Sequence, residues 1–540
     1  MTIKYPVTRV EAYAEEIHGV AVPDPYRWME DLDSPEVRQW IEAQNGLTFD
    51  FLKQSPLREK IQQRMTELWN YEKFSPPTKR GGRYFFMYND GLQNQDVLYW
   101  MENLADEPQV LLDPNTLSQD GTVALSGAAV SRDGRWLAYG LADAGSDWQT
   151  WYIRSIDDGE DLADMVEWVK FSEASWDAEN QGFFYSRYDA PEGEALKQAN
   201  YFQKLYYHKM GTPQTEDRLV YERSDQKEWG FNGEVTEDGR YLVIYVWHGT
   251  AEETAVFYLD LTIADSNVVE LLPDFDAAYE LVWNDGTQFF FKTDKDAPQN
   301  RLVAVDIVKP AISNWETIIP EMDDKLEVVD FVGGRFICTY LHHAADRVRF
   351  FHVDGTPDGV LTLPGIGTVS GFSGRSDDPE TFYQFSNLTT PARVYRLNVA
   401  TREKTIFRSP DLGFDPGEYV TEQVFYTSKD GTRVPLFISH RKDIEINGDT
   451  PTYLYGYGGF NNPVPVSFSV PDLVWMEMGG IYAQAHLRGG GEYGRAWHEA
   501  GMKANKQNVF DDFIAAAEYL IRAGYTCTGK LAIGGRSNGG

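Results

Sequence analysis

Between residues 71 and 415 one short pattern keeps returning, and it restricts the fold more than any other feature of the chain. A glycine-containing turn is followed by a basic or polar residue and then by a strand rich in aromatic side chains. The copies are Gly82-Arg83-Tyr84-Phe85-Phe86, Asp133-Gly134-Arg135-Trp136-Leu137, Gln181-Gly182-Phe183-Phe184-Tyr185, Asp238-Gly239-Arg240-Tyr241-Leu242, Asp285-Gly286-Thr287-Gln288-Phe289 and Gly333-Gly334-Arg335-Phe336-Ile337. A degenerate seventh lies at Glu380-Thr381-Phe382-Tyr383. Their interval is roughly 46 to 57 residues, close to the length of a four-stranded propeller blade. Seven copies predict a seven-bladed β-propeller. A pair of β-sandwiches with coincidental Asp-Gly turns is the alternative, and the persistence of the interval argues against it.

The flanks read differently. Residues 1–70 predict helices after a short extended start. Ser34-Pro35-Glu36 has the form of an N-cap with proline at the first helical position, and Val37, Trp40, Ile41 and Leu47 then recur at helical spacing. A second helix is expected over 57–68, with no strand alternation in the region. After Pro416 a hairpin is expected around Asp430-Gly431, from Val424-Phe425-Tyr426 to Val434–Ile438. Strands are expected at Tyr453–Tyr455 and Ile481–Leu487, and a helix from about Asn508 to Arg522. In that helix Phe510, Phe513, Ala517, Leu520 and Ile521 share the 3.6-residue period, with Asp511 and Asp512 in the first turn. Strands alternating with helices imply a doubly wound α/β domain.

The last eleven residues carry the chemistry. Leu531, Ala532 and Ile533 form an apolar run of the kind that makes a buried strand, and Gly535-Arg536-Ser537-Asn538-Gly539 follows at once. Gly-x-Ser-x-Gly on a strand-to-helix turn is a nucleophile elbow, in which strained backbone lifts the serine hydroxyl above the sheet. Gly-x-Ser-x-Gly alone is weak, and a glycine-rich turn between two elements is the plain alternative. Acyl transfer through Ser537 needs donors aimed at the oxyanion that develops on the carbonyl. One is the N–H of the residue after the nucleophile, Asn538. The other is expected from the loop Gly456-Tyr457-Gly458-Gly459-Phe460, where Tyr457 can offer a hydroxyl.

Other functions are disfavoured. Acidic residues number 83 against 49 basic ones, a net charge of −34, which opposes nucleic acid and anionic lipid surfaces. At 540 residues the chain is too long for one ordinary core, so two or more domains are expected. Cys338 and Cys527 are the only cysteines, too few for a disulfide framework. No signal peptide is visible and no apolar run reaches the roughly 20 residues of a membrane span, so a cytoplasmic protein is expected, or a periplasmic one if a leader has been removed. Gly489, Gly491 and Gly494 match the dinucleotide fingerprint, but no glycine-flanked helix start follows and Asp511 opens a helix instead of closing a second strand. No cofactor is expected, and no metal, since no His or Cys cluster has ligand spacing.

With these motifs the chain resembles the prolyl oligopeptidase family, propeller-capped serine peptidases that cleave short peptides after proline. The resemblance spans essentially the whole length. It rests on Asp24-Pro25-Tyr26-Arg27-Trp28-Met29-Glu30-Asp31, Gly91-Leu92-Gln93-Asn94-Gln95, Asp120 to Leu125, Gly145-Ser146-Asp147-Trp148 and Lys204-Leu205-Tyr206-Tyr207-His208. Tyr455 to Asn461, Arg488 to Gly494, Ala504 to Asn508 and Gly535 to Gly540 continue it. The resemblance implies an α/β-hydrolase domain built from the two chain ends, residues 1–70 and 416–540, with the propeller of 71–415 inserted as a filter over the active site. It implies Ser537 as nucleophile, Tyr457 and the Asn538 N–H as oxyanion donors, Phe460 as a wall of the proline pocket and Phe171 as lining of a more distant subsite. Arg536 departs towards relatives that cleave after basic residues, while Asn538 and Gly458-Gly459-Phe460-Asn461 favour the prolyl branch. Thr250 stands where some members carry a reactive cysteine.

In this fold the triad runs Ser, Asp, His, and all nine histidines precede Ser537. The chain is therefore expected to continue for on the order of 150 residues, supplying Asp, His and most of the proline pocket, and 416–540 to be an α/β domain cut short at the elbow. The expected function is a monomeric serine endopeptidase acting on short proline-containing peptides, with no nucleic-acid or membrane partner. The alternatives are a relative cleaving after Lys or Arg, and a propeller-based peptide-binding protein with a dead hydrolase domain.

Overall fold

A computed structural model describes residues 3–32, 34–191 and 199–540. It divides into two compact units, Met1–Leu68 and Trp69–Gly540. The first contains a hairpin, Ala14–Ile17 with Val20–Pro23, and the helix Pro35–Leu52, with the helix Arg58–Trp69 running to its end. Ser34 caps the first helix as expected, its side chain accepting from the Glu36 N–H, with Pro35 in the first turn. The hairpin corrects the expectation of no strands. His18 and Gly19, at φ +50° and +78°, form the two-residue turn that the right-handed twist of paired strands favours.

In the second unit the recurrent pattern has a definite structural meaning. All seven copies open a strand: Arg83–Asn89, Trp136–Ala142, Gly182–Arg187, Tyr241–His248, Gln288–Thr293, Arg335–His342 and Glu380–Asn387. Each of these strands has antiparallel neighbours on both sides, so the motif marks an interior strand. The turn chemistry explains the consensus. Asp238 Oδ1 accepts from Thr236 Oγ1 at 2.6 Å and from the Arg240 N–H at 3.0 Å, with Gly239 in the left-handed region at φ +77°. Asp133 does the same for Ser131 and Arg135. The basic residue after the glycine reaches an aspartate later in the chain, on the adjacent strand, two strands away or in the next sheet: Arg240 to Asp260 at 3.0 Å, Arg335 to Asp358 at 2.7 Å, Arg83 to Asp157 at 2.6 Å.

The strands form one five-stranded sheet at the start, one eight-stranded sheet, then four four-stranded sheets. The eight-stranded sheet is joined across its middle by the single pair Val169–Arg187. Aromatic and aliphatic faces of successive sheets pack together, as where Tyr241 and Val256 meet Phe289, Phe291 and Val303. The first and last sheets also meet: Lys79 pairs with Asp378 at 2.9 Å and the Tyr84 hydroxyl donates to Glu380 at 2.9 Å. The arrangement is a β-propeller.

Beyond it, five strands form a mixed sheet in the order Tyr419–Thr427, Arg433–Arg441, Ile481–Ala485, Thr452–Gly456, Leu531–Gly534. The first two are the expected hairpin, while the last three run parallel. The helices Val470–Glu477 and Gln507–Arg522 make the crossovers. Two expectations need correction. The helix Gln507–Arg522 exists, but its buried residues are Val509, Asp512, Ala515, Ala516 and Leu520, while Phe510 is 52% and Ile521 37% exposed. The face is rotated because Asp512, fully buried, ion-pairs with Arg488 at 2.6 Å, so an acid takes a place that hydrophobic periodicity assigns to an apolar side chain. The strand Leu531–Gly534 also exists, yet Ile533 is 65% exposed and Ala532 is exposed too. It is an edge strand among the described residues, paired only with Thr452–Gly456.

Candidate active site

The sheet order places the chemistry. From Thr452–Gly456 the chain crosses to one side to make Ile481–Ala485 and returns to the other side to make Leu531–Gly534. Such a reversal opens a crevice at the carboxyl ends of the two adjacent strands. The segments that leave those ends are Tyr457-Gly458-Gly459-Phe460 and Gly535-Arg536-Ser537-Asn538, so the two loops singled out in the sequence are neighbours.

Ser537 sits at φ +50°, in the left-handed region that a residue with a Cβ enters at a cost of about 1–2 kcal/mol. A short 3₁₀ turn, Ser537–Gly539, follows, and the serine side chain is exposed. The flanking glycines are obligatory for steric reasons. A Cβ on Gly535 would overlap the carbonyl of Gly539, and one on Gly539 would lie 2.6 Å from the carbonyl oxygen of Gly456. The elbow is thus jammed against the end of the neighbouring strand, which fixes the serine in its strained conformation.

The Asn538 side chain holds the two loops together. Its Nδ2 donates to the carbonyl oxygens of Tyr457 at 2.8 Å and Gly458 at 3.1 Å. Lys506 completes the joint: its ammonium donates to Gly458 O at 2.9 Å and to Asn538 Oδ1 at 3.1 Å, and burial pushes its pKa down. The sequence reading did not single out Lys506, although it lies in the quoted Ala504–Asn508 stretch. Tyr457 is half-buried, one residue beyond the strand. Phe460 and Asn461 both have positive φ, +55° and +48°, and Phe460 is 55% exposed. Asn461 reaches across to the propeller, where its Nδ2 donates to Glu252 at 2.7 Å.

Phe171 is not a blade-core aromatic. It is 52% exposed at φ +54°, edge-on to Trp247 with ring centroids 6.0 Å apart, and the Lys170 ammonium lies 5.1 Å from its ring centroid. Trp247 lies at the end of Tyr241–His248, and the loop after that strand sends Glu252 to Asn461 and Glu253 to Arg495. Phe171 therefore occupies the propeller end that faces the α/β sheet.

The glycine loop 489–494 is packed by protein. Gly489 abuts the carbonyl of Gly458, and its neighbours Gly491 and Gly494 abut the carbonyls of Asn461 and Pro298. Arg495, which follows, bridges Glu253 at 2.8 Å and Asp294 at 3.2 Å. The loop is a clasp between sheet and propeller. The histidines of this part have partners of their own: His440 with the Arg441 carbonyl, His486 with Glu492, His498 with the Gly489 carbonyl and the Asn461 N–H.

Comparisons with known proteins agree with this geometry. Residues 5–410 match the family described as the prolyl oligopeptidase N-terminal beta-propeller domain, and residues 466–540 match the prolyl oligopeptidase family. The chain is 40% identical over 539 residues to a prolyl endopeptidase of Elizabethkingia meningoseptica, covering 100% of this chain and 76% of that protein. It is 34% identical to a prolyl endopeptidase of Dictyostelium discoideum, covering 100% of this chain and 80% of that one. A structure from a study of two prolyl endopeptidases superposes with a TM-score of 0.94 at 38% identity, over 99% of this chain and 79% of the other. Prolyl oligopeptidase B from Galerina marginata, bound to a 35mer hydrolysis and macrocyclization substrate, superposes at 0.93 and 32% identity, over 99% and 78%.

Proposed function

The chain belongs to the prolyl oligopeptidase family and is a serine peptidase that cleaves after proline, and from this we propose how its own residues divide the work. Ser537 is the nucleophile. Its Oγ attacks the carbonyl carbon of a prolyl residue as its proton passes to a general base; the C–N bond then breaks, the amine leaves with a proton, and water hydrolyses the acyl ester. The Asn538 N–H and the Tyr457 hydroxyl hold the oxyanion that forms in each half. Phe460, displayed beside the elbow by left-handed backbone, packs on the proline ring. Phe171 contacts substrate residues further from the scissile bond.

We assign residues 71–415 to the propeller and 416–540 to the α/β-hydrolase part. The eight-stranded sheet counts as two blades joined at Val169–Arg187, which makes seven in all, one for each copy of the sequence motif. Substrates are short peptides, because the propeller stands over the crevice and is tied to it by Arg495 and Asn461.

The observation that carries this reading is Ser537 at positive φ between two glycines that admit no Cβ, beside a Tyr457 loop bound to the next residue. In the complete enzyme a fluorophosphonate probe is expected to label Ser537, and hydrolysis of a chromogenic Gly-Pro amide is expected to vanish in Ser537→Ala. Full activity in that variant, or cleavage of an arginyl amide in preference to the prolyl one, would refute it.

A further inference from the structure

A cavity of about 720 Å³ runs through the middle of the propeller, lined by the first strands of successive sheets. Its two ends are distinguishable. The strand Thr368–Ser373 begins beside the α/β part, where Thr368 Oγ1 accepts from the Val466 N–H at 2.9 Å, and Arg375 lies just past its other end. In a chain of net charge −34 an acidic cavity is the expectation, and its middle bears this out with Glu234, Glu280 and Asp330 on the wall. The end remote from Ser537 is the reverse. There Arg80, Arg132 and Arg375 converge from three different parts of the ring.

Two of these guanidinium groups, Arg80 and Arg132, are bonded to main-chain carbonyls, while Arg375 has Glu237 at 3.5 Å and Asp377 at 3.8 Å. The hydrogen bond described for Arg80 goes to the Lys79 carbonyl at 2.9 Å, and those of Arg132 go to the carbonyls of Thr236 at 2.5 Å and Glu237 at 2.8 Å. Among the described residues neither ion-pairs with a carboxylate. Burial first, and then the nearby Arg375, push both guanidinium pKa values down, as befits cations held together in a partly dry site.

The one acid on the cavity wall at this end is Glu237, and it is already engaged. Its carboxylate crosses the mouth to accept from the Ser376 N–H at 3.1 and 3.2 Å and from Ser376 Oγ at 2.7 Å, with Arg375 Nη2 at 3.5 Å. The rim therefore holds one carboxylate through an amide, a hydroxyl and a guanidinium, and has two more guanidinium groups to spare.

We propose that this end of the channel is a carboxylate subsite, in which Arg80, supported by Arg132 and Arg375, holds the free C-terminus of a short peptide lying in the propeller. The proposal rests on the reading of the chain as a peptidase for short peptides, since these present a single terminal carboxylate. The acidic mid-section gives the peptide a direction. Glu280 is already paired with Lys292 at 2.6 Å, and the Glu234 and Asp330 carboxyls, whose pKa values burial raises to about 7, are left to take the terminal ammonium of a peptide whose carboxylate is seated beyond them. Trp176, Trp283 and Phe331 supply apolar wall between the two charges.

The test uses the Ser537→Ala protein and the proline-free peptide Ala-Phe-Gly-Ser-Ala, titrated calorimetrically as the free acid and as the C-terminal amide. The acid is expected to bind about tenfold tighter, the scale of one charge-assisted hydrogen-bonded pair. Arg80→Gln should bring acid and amide to equal affinity without weakening the amide, and Arg223→Gln on the outer rim should leave the difference intact. Should Arg80→Gln fail to fold, Arg375→Gln, with a side chain 40% exposed, should narrow the gap in its place. Equal binding of acid and amide, a gap left undiminished in a folded Arg80→Gln or Arg375→Gln protein, or displacement of the bound acid by acetate at the concentration at which the peptide itself binds, would each overturn the proposal. The peptide contains no proline and the protein no nucleophile, so a failure of prolyl cleavage would leave this result standing.

Discussion

The side-chain amide of Asn538 donates to the main-chain carbonyl of Tyr457 across 2.8 Å, which couples the residue after the serine to the residue after the neighbouring strand. Both oxyanion donors assigned here are positioned by that one joint. Asn538→Ala removes it while sparing the Asn538 N–H and the Tyr457 hydroxyl. We expect kcat to fall about ten- to a hundredfold with a small change in KM, since each lost hydrogen bond is worth about 1 kcal/mol in holding the donors in place. Steady-state kinetics on a prolyl amide will show it; a rise in KM alone would contradict the coupling.

Tyr457→Phe separates the hydroxyl from the ring. Loss of a single oxyanion donor costs about 10²–10³ in kcat, and that is the expectation here, again with KM nearly unchanged. A Tyr457→Phe enzyme within threefold of the parent would remove the hydroxyl from the mechanism.

Gly535→Ala places a methyl group against the Gly539 carbonyl, where backbone must move. The elbow is expected to unwind locally, abolishing fluorophosphonate labelling while the propeller keeps its fold. Labelling combined with far-ultraviolet circular dichroism distinguishes this from global unfolding.

Much of this was legible beforehand, and the reasons differ from element to element. The motif copies could be read because their turns are local: Gly82, Gly134, Gly239, Gly286 and Gly334 all sit at positive φ, and at Asp133 and Asp238 the side chain closes on a backbone N–H two residues on. The elbow could be read because Gly-x-Ser-x-Gly follows an apolar run at once and Gly535 is dictated by a clash within the motif, although the clash that demands Gly539 lies with Gly456 on the neighbouring strand. The face of the last helix was misread because it depends on partners far along the chain. Asp512 is buried by its pairing with Arg488, which no local period can report. The Asn538–Tyr457–Lys506 joint and the Glu237–Ser376 crossing were invisible for the same reason, the latter spanning 139 residues.

Arg488 and Asp512 form a buried ion pair at 2.6 Å, with Asp430 on the other side of the guanidinium at 2.5 Å. Asp512→Asn leaves the arginine short of a charge at the base of the Gln507–Arg522 helix. A loss of about 3–5 kcal/mol is expected, and the double variant Arg488→Met/Asp512→Leu should recover part of it. Urea denaturation of the three proteins measures the difference.

His208 is fully buried between Asp217, 2.7 Å from Nδ1, and Asp164, 3.0 Å from Nε2. Burial alone would lower its pKa, but the two carboxylates outweigh it and the net shift is upward. A folded-state pKa raised above the unfolded value contributes stability that is fully present below about pH 6.5 and is lost as pH rises through the folded value. His208→Gln should therefore destabilise more at pH 5.5 than at pH 9, about one unit below and well above the ordinary histidine range. Thermal melts at the two pH values check the sign.

The first and last propeller sheets meet through side chains: Lys79 with Asp378, Tyr84 with Glu380, Thr78 with Ser373. No ladder of main-chain bonds sews this meridian among the described residues, whereas strands within each sheet share one. The circle is thus fastened like a clasped bracelet, by an ion pair, two side-chain hydrogen bonds and the edge of Tyr84 against Phe382. A pull that separates the first sheet from the last will part it there first, letting the ring gape along a single line while every sheet stays whole.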